Sequence, residues 1–195
     1  MKTCVRIALA AACLAATPVH ADWQAAERIE TYKIEGRSGI ALYRSIGERG
    51  PKAGPGRAIA YTDFKLLWSR DYQQRADGSC VLATARPSLT LNYRWPEAPR
   101  DLEPQTAARW EVFIEGIRAH ERVHGAMIVE MVKKIEAFST GLAVANDPGC
   151  KKVRATLQKR LGELSQEQRQ ASRNFDRVEL SQGGNVHQLV LGLVN

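Results

Sequence analysis

Residues 120–124 read His-Glu-Arg-Val-His, the pattern HExxH, and they constrain the chain more than any other segment. On an α-helix the side chains of His120 and His124 project from the same face, so both imidazoles can bind one metal ion. Glu121 lies beside that face, where its carboxylate can take a proton from a water molecule that the metal activates. The spacing therefore predicts a zinc-binding helix, with Glu121 as the general base of a peptidase.

The residues around the motif place both histidines on the buried face of this helix. At roughly 100° per residue, apolar side chains share the side of His120 and charged side chains fall opposite. Two buried histidines would be costly without a partner that binds both, so the pattern favours a metal site over a pair of core histidines. The apolar set is Phe113, Ile117, Met131 and Ile135, and the charged set is Glu111, Glu115, Arg118, Arg122 and Lys133.

Residues 1–21 have the features of an export signal. A positively charged start precedes an apolar run from Ile7 to Ala16, which is too short to span a bilayer. The triplet Val19-His20-Ala21 then fits the small-residue rule for cleavage. We expect cleavage after Ala21 and a mature chain of residues 22–195, located in the periplasm or secreted.

Removal of that signal leaves two cysteines, Cys80 and Cys150. An even pair in an exported chain predicts a disulfide, which would close a loop of about 70 residues and stabilise the fold by roughly 4 kcal/mol. Two free thiols, or cysteine ligation of zinc, are the alternatives, although the spacing resembles no C-x-x-C pair. Cys13 leaves a lipoprotein signal open, but Ala10-Ala11-Ala12 lacks the usual large apolar residue.

The distribution of basic residues along the chain argues against a nucleic-acid partner, although the net charge is positive. The formal net charge is +7 for the full sequence, and about +5 once Lys2 and Arg6 leave with the signal. The basic residues are scattered and form no platform with aromatic residues. No apolar run after the signal is long enough to span a membrane. The HExxH motif makes a protein or peptide substrate the expected partner; neither its identity nor the oligomeric state follows from the sequence.

Strand patterns occupy the first half of the mature chain. Alternating apolar residues predict strands there, and Asp77-Gly78 predicts a hairpin turn. Arg86-Pro87 is expected to interrupt the return strand, and the segment after it is one candidate for the sheet edge along which a substrate could lie. The predicted strands are Ile29–Glu35, Phe64–Tyr72, Cys80–Ala85 and Leu89–Trp95, joined in an antiparallel sheet.

Helical patterns occupy the second half. A long helix is predicted from about Gln105 to Phe138, carrying the HExxH motif, and it is followed by a supporting helix whose apolar stripe runs from Val153 to Phe175. The sequence Asn146-Asp147-Pro148-Gly149 separates them. The prediction is a single α+β domain over residues 22–195, with a sheet, a motif helix and a supporting helix in the zincin-like layout.

Several features occur along the chain in a fixed order around the motif. They are Tyr32-Lys33-Ile34-Glu35-Gly36, Gly50-Pro51, a cysteine in the strand region, Trp110 ahead of the motif, another cysteine at the second helix, and Phe175-Asp176. In this order the chain resembles a bacterial family of unknown function described as predicted secreted zinc-dependent proteases. The resemblance covers essentially the whole mature chain and implies a periplasmic or secreted zinc-binding protein. The protease label of the family rests on the same HExxH motif.

A catalytic zinc needs three protein ligands and an open position, and the motif supplies only two of the three. Asp176 is carried over from the aromatic-Asp pair of the family, as a ligand, an outer contact or a helix-end charge. The family pattern continues with Thr and then His-Gly, but no histidine follows Asp176 here until His187. The other candidates are His187, Glu167 and Glu163; Glu130 is expected to point away from His124 on an unbroken helix.

The sequence favours a secreted or periplasmic zinc metallopeptidase. Glu121 would accept a proton as an activated water attacks a peptide carbonyl, and would later pass it to the leaving amine. The alternative is a zinc-binding envelope protein without hydrolytic activity, acting as a structural or interaction module. A third interpretation is a metal-free fold in which His120 and His124 are core residues.

Overall fold

The computed structural model describes residues 23–54 and 56–195, which form a mixed α+β fold with a sheet followed by helices. The predicted α+β class is confirmed, and the predicted export signal lies outside the described residues. The strands are β1 (Ala26–Lys33), β2 (Lys52–Ala53), β3 (Gly56–Arg57), β4 (Tyr61–Gln74), β5 (Cys80–Glu97) and β6 (Ala143–Val144). The helices are α1 (Gly39–Arg49), α2 (Pro104–Ser139), α3 (Lys151–Glu179) and α4 (Asn185–Val194).

The main sheet has the order β1-β5-β4, and β6 adds a short pair at the start of β5. Strands β4 and β5 form an antiparallel hairpin that turns at Gly78, where φ is +82°. Strand β1, however, runs parallel to β5, so the prediction of a wholly antiparallel sheet is wrong. Alternation along a strand specifies which side chains face the core, but it carries no information about the direction of the partner strand.

Strand β5 is continuous through Pro87, and the predicted interruption at Arg86-Pro87 is wrong. Pro87 pairs with Trp68 of β4, whereas β1 pairs only with the part of β5 that begins at Thr90. Proline lacks a backbone N–H, and it is tolerated where one side of a strand has no ladder to complete. The Leu89–Trp95 segment therefore lies at the centre of the sheet, which corrects its proposed role as an edge.

Helix α2 packs across the sheet and carries the HExxH motif. It spans Pro104–Ser139, which confirms the predicted long helix to within one residue at each end. Its apolar stripe packs against β5, where Leu91, Tyr93 and Trp95 belong to the same buried core. At Gly125 the helix comes so close to β5 that a Cβ would lie 2.1 Å from the Tyr93 hydroxyl. The motif is thereby held directly over the sheet.

Helix α3, the predicted supporting helix, is fixed at its N-terminus by a disulfide and a buried carboxylate. The Cys80–Cys150 disulfide joins the start of β5 to the residue before α3, which confirms the predicted pair. The carboxylate of Asp147 accepts hydrogen bonds from the backbone N–H groups of Lys152 at 2.8 Å and Val153 at 2.9 Å. Within the described residues, no helix combines the length and apolar character needed to cross a bilayer.

Candidate metal centre

Three side chains from α2 and α3 converge at one point. The Nε2 atoms of His120 and His124 lie 3.1 Å apart, and Oδ1 of Asp176 lies 3.2 Å from the first and 2.9 Å from the second. Both histidines are buried, whereas the Asp176 side chain is 40% exposed. Among the residues that the structure describes, this is the one group of three metal-ligating side chains brought within reach of a single ion.

The spacing of these donor atoms fits a tetrahedral zinc ion. Ligand atoms about 2.0–2.1 Å from zinc at tetrahedral angles are separated from each other by about 3.3 Å. The three separations in this triangle, 2.9, 3.1 and 3.2 Å, are close to that value. Two imidazole nitrogens and one carboxylate oxygen are also donors that zinc prefers. These residues could therefore hold zinc and leave a fourth position open.

Neighbouring side chains fix the orientation of both imidazoles. Ser172 Oγ lies 2.8 Å from Nδ1 of His124, so a proton on that nitrogen leaves Nε2 free for a metal. The Phe175 ring stacks on His120 with a centroid distance of 4.8 Å. Nδ1 of His120 is buried and has no hydrogen-bond partner among the described residues; Oε2 of Glu179 is 3.7 Å away.

Glu121 lies beside the triangle and is held by the sheet. Its Oε2 accepts a hydrogen bond of 2.5 Å from the hydroxyl of Thr62 on β4. Burial raises the pKa of Glu121, and the hydrogen bond from Thr62 with the nearby imidazoles only partly opposes that effect. A carboxylate whose pKa is raised toward neutrality is better suited to accept and return a proton.

The contact between Asp176 and His124 lowers the pKa of the carboxyl and raises the pKa of the imidazole. Burial raises the pKa of Asp176, but hydrogen bonds from His120 and His124 outweigh it and hold that pKa well below its usual range. Burial lowers the pKa of His124, and the contact with Asp176 reverses this to a net rise. The pair therefore favours an ionised carboxylate at the point where a cation would bind.

A cavity of about 770 Å³ opens in front of the site. Glu121, His124 and Asp176 lie in its wall, together with β4 residues from Tyr61 to Phe64 and residues of α3. In the sheet order β1-β5-β4, β4 has no strand on its outer side among the described residues. A ligand in the cavity would therefore contact both the motif and an unpaired strand edge.

The other candidate ligands lie away from this triangle. Glu163 and Glu167 both pair with Arg160, at 2.9 and 3.3 Å. Nδ1 of His187 accepts a hydrogen bond from the backbone N–H of Gly183. Glu130 pairs with Lys133 on the exposed face of α2, as its position on an unbroken helix predicts. The structure thus brings Asp176 to the motif histidines and leaves the other acidic candidates in surface pairs.

Sequence reasoning missed three residues that contact the site: Thr62, Ser172 and Glu179. Ser172 and Glu179 lie four residues before and three residues after Asp176, so helical spacing from Asp176 would have identified them. Thr62 lies 59 residues before Glu121 in another element, and no pattern in the sequence connects the two.

The fold and site define a mixed α+β protein with an HExxH helix and a converging aspartate. The model of the family described as "Bacterial protein of unknown function (DUF922)" matches residues 29–184, so the chain belongs to this family. That description states no activity, so the match neither supports nor contradicts the protease interpretation. Searches of curated proteins and of solved structures returned no match.

Proposed function

We propose that this protein is a zinc-dependent metallopeptidase of the zincin-like type, acting in the periplasm or outside the cell. The observation that carries the proposal is the triangle formed by Nε2 of His120, Nε2 of His124 and Oδ1 of Asp176, with Glu121 beside it. The cavity that exposes this site to solvent supports an open coordination position. The Cys80–Cys150 disulfide is consistent with an oxidising compartment.

In this proposal His120, His124 and Asp176 hold the metal, and the other residues orient and transfer protons. Bound zinc would supply Lewis acidity toward a water molecule and a peptide carbonyl. Glu121 would accept a proton from the attacking water as the oxygen forms its bond to the carbonyl carbon. The same proton would then pass to the leaving nitrogen as the C–N bond breaks. Thr62 would keep the Glu121 carboxylate aimed at this proton path.

The edge of β4 offers a place for the substrate backbone. Residues Tyr61–Phe64 line the cavity, and the outer side of β4 carries no strand within the described chain. An extended peptide could pair with this edge and pass in front of Glu121. Peptide substrates are thereby favoured over compact small molecules.

The decisive experiment compares metal content and hydrolysis in matched variants of the mature chain, residues 22–195. We expect about one zinc per chain in wild type and in Glu121→Gln, and loss of zinc in His120→Ala/His124→Ala. Asp176→Ala should weaken zinc binding by more than the roughly 10–100-fold typical of outer contacts, whereas Glu167→Ala should not. Hydrolysis of a quenched-fluorescent peptide library should occur in wild type and be lost in Glu121→Gln.

Three results would contradict the proposal. Absence of metal after zinc is supplied would return His120 and His124 to the role of core residues. Hydrolysis by Glu121→Gln at the wild-type rate would remove Glu121 from the mechanism. Bound zinc without hydrolysis, and without binding of a hydroxamate probe, would instead support the non-catalytic zinc-binding alternative.

A further inference from the structure

Three arginines line the same cavity as the candidate metal centre. Arg57 lies on β3, while Arg169 and Arg173 are four residues apart on α3, so both project from the helix face that carries Asp176. All three are exposed, and they lie in the wall that a bound ligand would contact. The cavity wall therefore carries arginine side chains in addition to the acidic side chains of Glu121 and Asp176.

These three guanidinium groups contact neutral partners within the described residues. Arg57 donates to the backbone carbonyl of Gly50, and Arg169 donates to Ser165 Oγ. Arg173 donates to the side-chain carbonyl of Gln170 at 2.6 Å. Arg160, on the same helix but outside the cavity, instead pairs with two glutamates. The arginines that face the cavity thus keep capacity to bind an anion.

Like charges four residues apart on a helix also repel, so the pair Arg169 and Arg173 is unfavourable without an anionic partner. The acidic residues of the cavity do not supply that partner. Glu121 and Asp176 belong to the candidate metal centre, where a bound dication would offset their two charges. Asp63 accepts a hydrogen bond from Asn92. With zinc bound, the cavity would carry a net positive charge.

We propose that Arg169 and Arg173 bind a carboxylate of the substrate, and that the cavity therefore selects acidic peptides. Guanidinium groups bind carboxylates through two parallel hydrogen bonds, which gives geometric selectivity as well as affinity. The carboxylate belongs to an Asp or Glu side chain, or to a free C-terminus, near the peptide bond presented to Glu121. This assignment rests on the proposed function, since it takes the occupant of the cavity to be a peptide.

Binding is measured by fluorescence anisotropy on zinc-loaded Glu121→Gln protein, so that the probe is not cleaved. The probes are peptides of alanine and serine with a central Glu, Gln or Lys, an amidated C-terminus and an uncharged dansyl label, so that the label adds no carboxylate. A fourth probe has a central Gln and a free C-terminal carboxylate. The test variant adds Arg169→Gln/Arg173→Gln, and the matched control adds Lys134→Gln/Lys159→Gln. The control removes the same charge from exposed positions that do not line the cavity.

We expect a carboxylate-bearing probe to bind roughly tenfold more tightly than the amidated Gln probe. That advantage should disappear in the double arginine variant and persist in the double lysine variant, with zinc content equal in all three proteins. An advantage for the central Glu identifies a side-chain carboxylate, and one for the free-acid probe identifies a C-terminus.

Equal binding of all probes, including no binding by any, overturns the assignment. So does an advantage that survives in the double arginine variant or is lost equally in the double lysine variant. Failure of the proposed function is a separate result, since wild type is scored independently for hydrolysis. An arginine-dependent preference without hydrolysis would keep the carboxylate site and remove the peptidase.

Discussion

The hydroxyl of Thr62 on β4 donates a 2.5 Å hydrogen bond to Oε2 of Glu121 on α2, and so joins the sheet to the motif helix. Glu121 is only 6% exposed, and a buried carboxylate without a donor is costly. Thr62 therefore both stabilises the ionised side chain and sets its direction toward the candidate metal centre. The relationship makes the edge strand part of the site.

Replacing Thr62 by valine should test this contact directly. Thr62→Val keeps the side-chain shape but removes the donor, and should lower the free energy of unfolding by about 1.5–3 kcal/mol, as for hydrogen bonds to charged groups. Denaturant unfolding in the presence of chelator measures this without a contribution from metal. Thr62→Ser, which keeps the hydroxyl, is the matched control. In a Glu121→Gln background the cost should shrink, and an unchanged cost would mean that the hydrogen bond is not its source.

The Cys80–Cys150 disulfide should contribute to stability through the length of the loop that it closes. A sequence separation of 70 corresponds to about 4 kcal/mol on the chain-entropy model. Cys80→Ser/Cys150→Ser should lower the free energy of unfolding by about that amount, and wild type in reductant should match it. Zinc content of the folded variant should be unchanged, because the disulfide lies at the opposite end of α3 from Asp176. Loss of zinc at a denaturant concentration at which the variant is still folded would show that the disulfide and the candidate metal centre are not independent.

The elements that sequence periodicity predicted well are those whose pattern repeats over many residues. Helix α2 was predicted to within one residue at each end because its apolar stripe is long and begins after Pro104. The parallel direction of β1 was missed because alternation does not specify the partner strand. The sequence could not show that β5 continues through Pro87. A proline is tolerated in a strand where no partner needs its backbone N–H, and this depends on where β1 begins to pair with β5.

The residues of the candidate site also differ in whether a local sequence pattern predicts them. His120, Glu121 and His124 follow from local spacing, so the sequence alone could nominate them. Asp176 came from the resemblance to a family, since 52 residues separate it from His124 and several acidic side chains competed with it. Its position 2.9 Å from His124 depends on how α3 crosses α2, which no local pattern encodes. Whether these residues bind zinc stays a prediction.

Asp147 makes the N-terminus of α3 sensitive to acid. Burial raises the pKa of its carboxyl, but hydrogen bonds from Lys152 and Val153 outweigh this and leave the pKa lowered. A group with a lowered pKa stabilises the fold above its ordinary pKa, and that stability is lost as pH falls through the lowered value. Asp147→Asn should therefore lower the Tm near neutral pH, with a difference from wild type that shrinks below about pH 4.

Thermal unfolding of wild type and Asp147→Asn across this pH range measures the difference. Asp147→Ser, a second neutral N-cap residue, should show the same pH-dependent difference from wild type, whereas the Tm difference between Asp147→Asn and Asp147→Ser should vary little with pH. A difference between wild type and Asp147→Asn that stays constant from neutral to acid pH would show that the charge of Asp147 is not involved.

Any side chain larger than hydrogen at Gly125, the residue after His124, should destabilise the fold. A Cβ there would lie 2.1 Å from the Tyr93 hydroxyl and 3.3 Å from Leu91 Cδ1, and Tyr93 is buried. Gly125→Ala should therefore lower the free energy of unfolding by about 1–3 kcal/mol, although alanine favours a helix. Gly162→Ala on α3 is the matched control, because a Cβ there meets no atom within 4 Å. It should raise the free energy of unfolding by up to about 1 kcal/mol. Denaturant unfolding of the two variants should move in opposite directions, and a stabilising Gly125→Ala would mean that α2 does not approach β5 this closely.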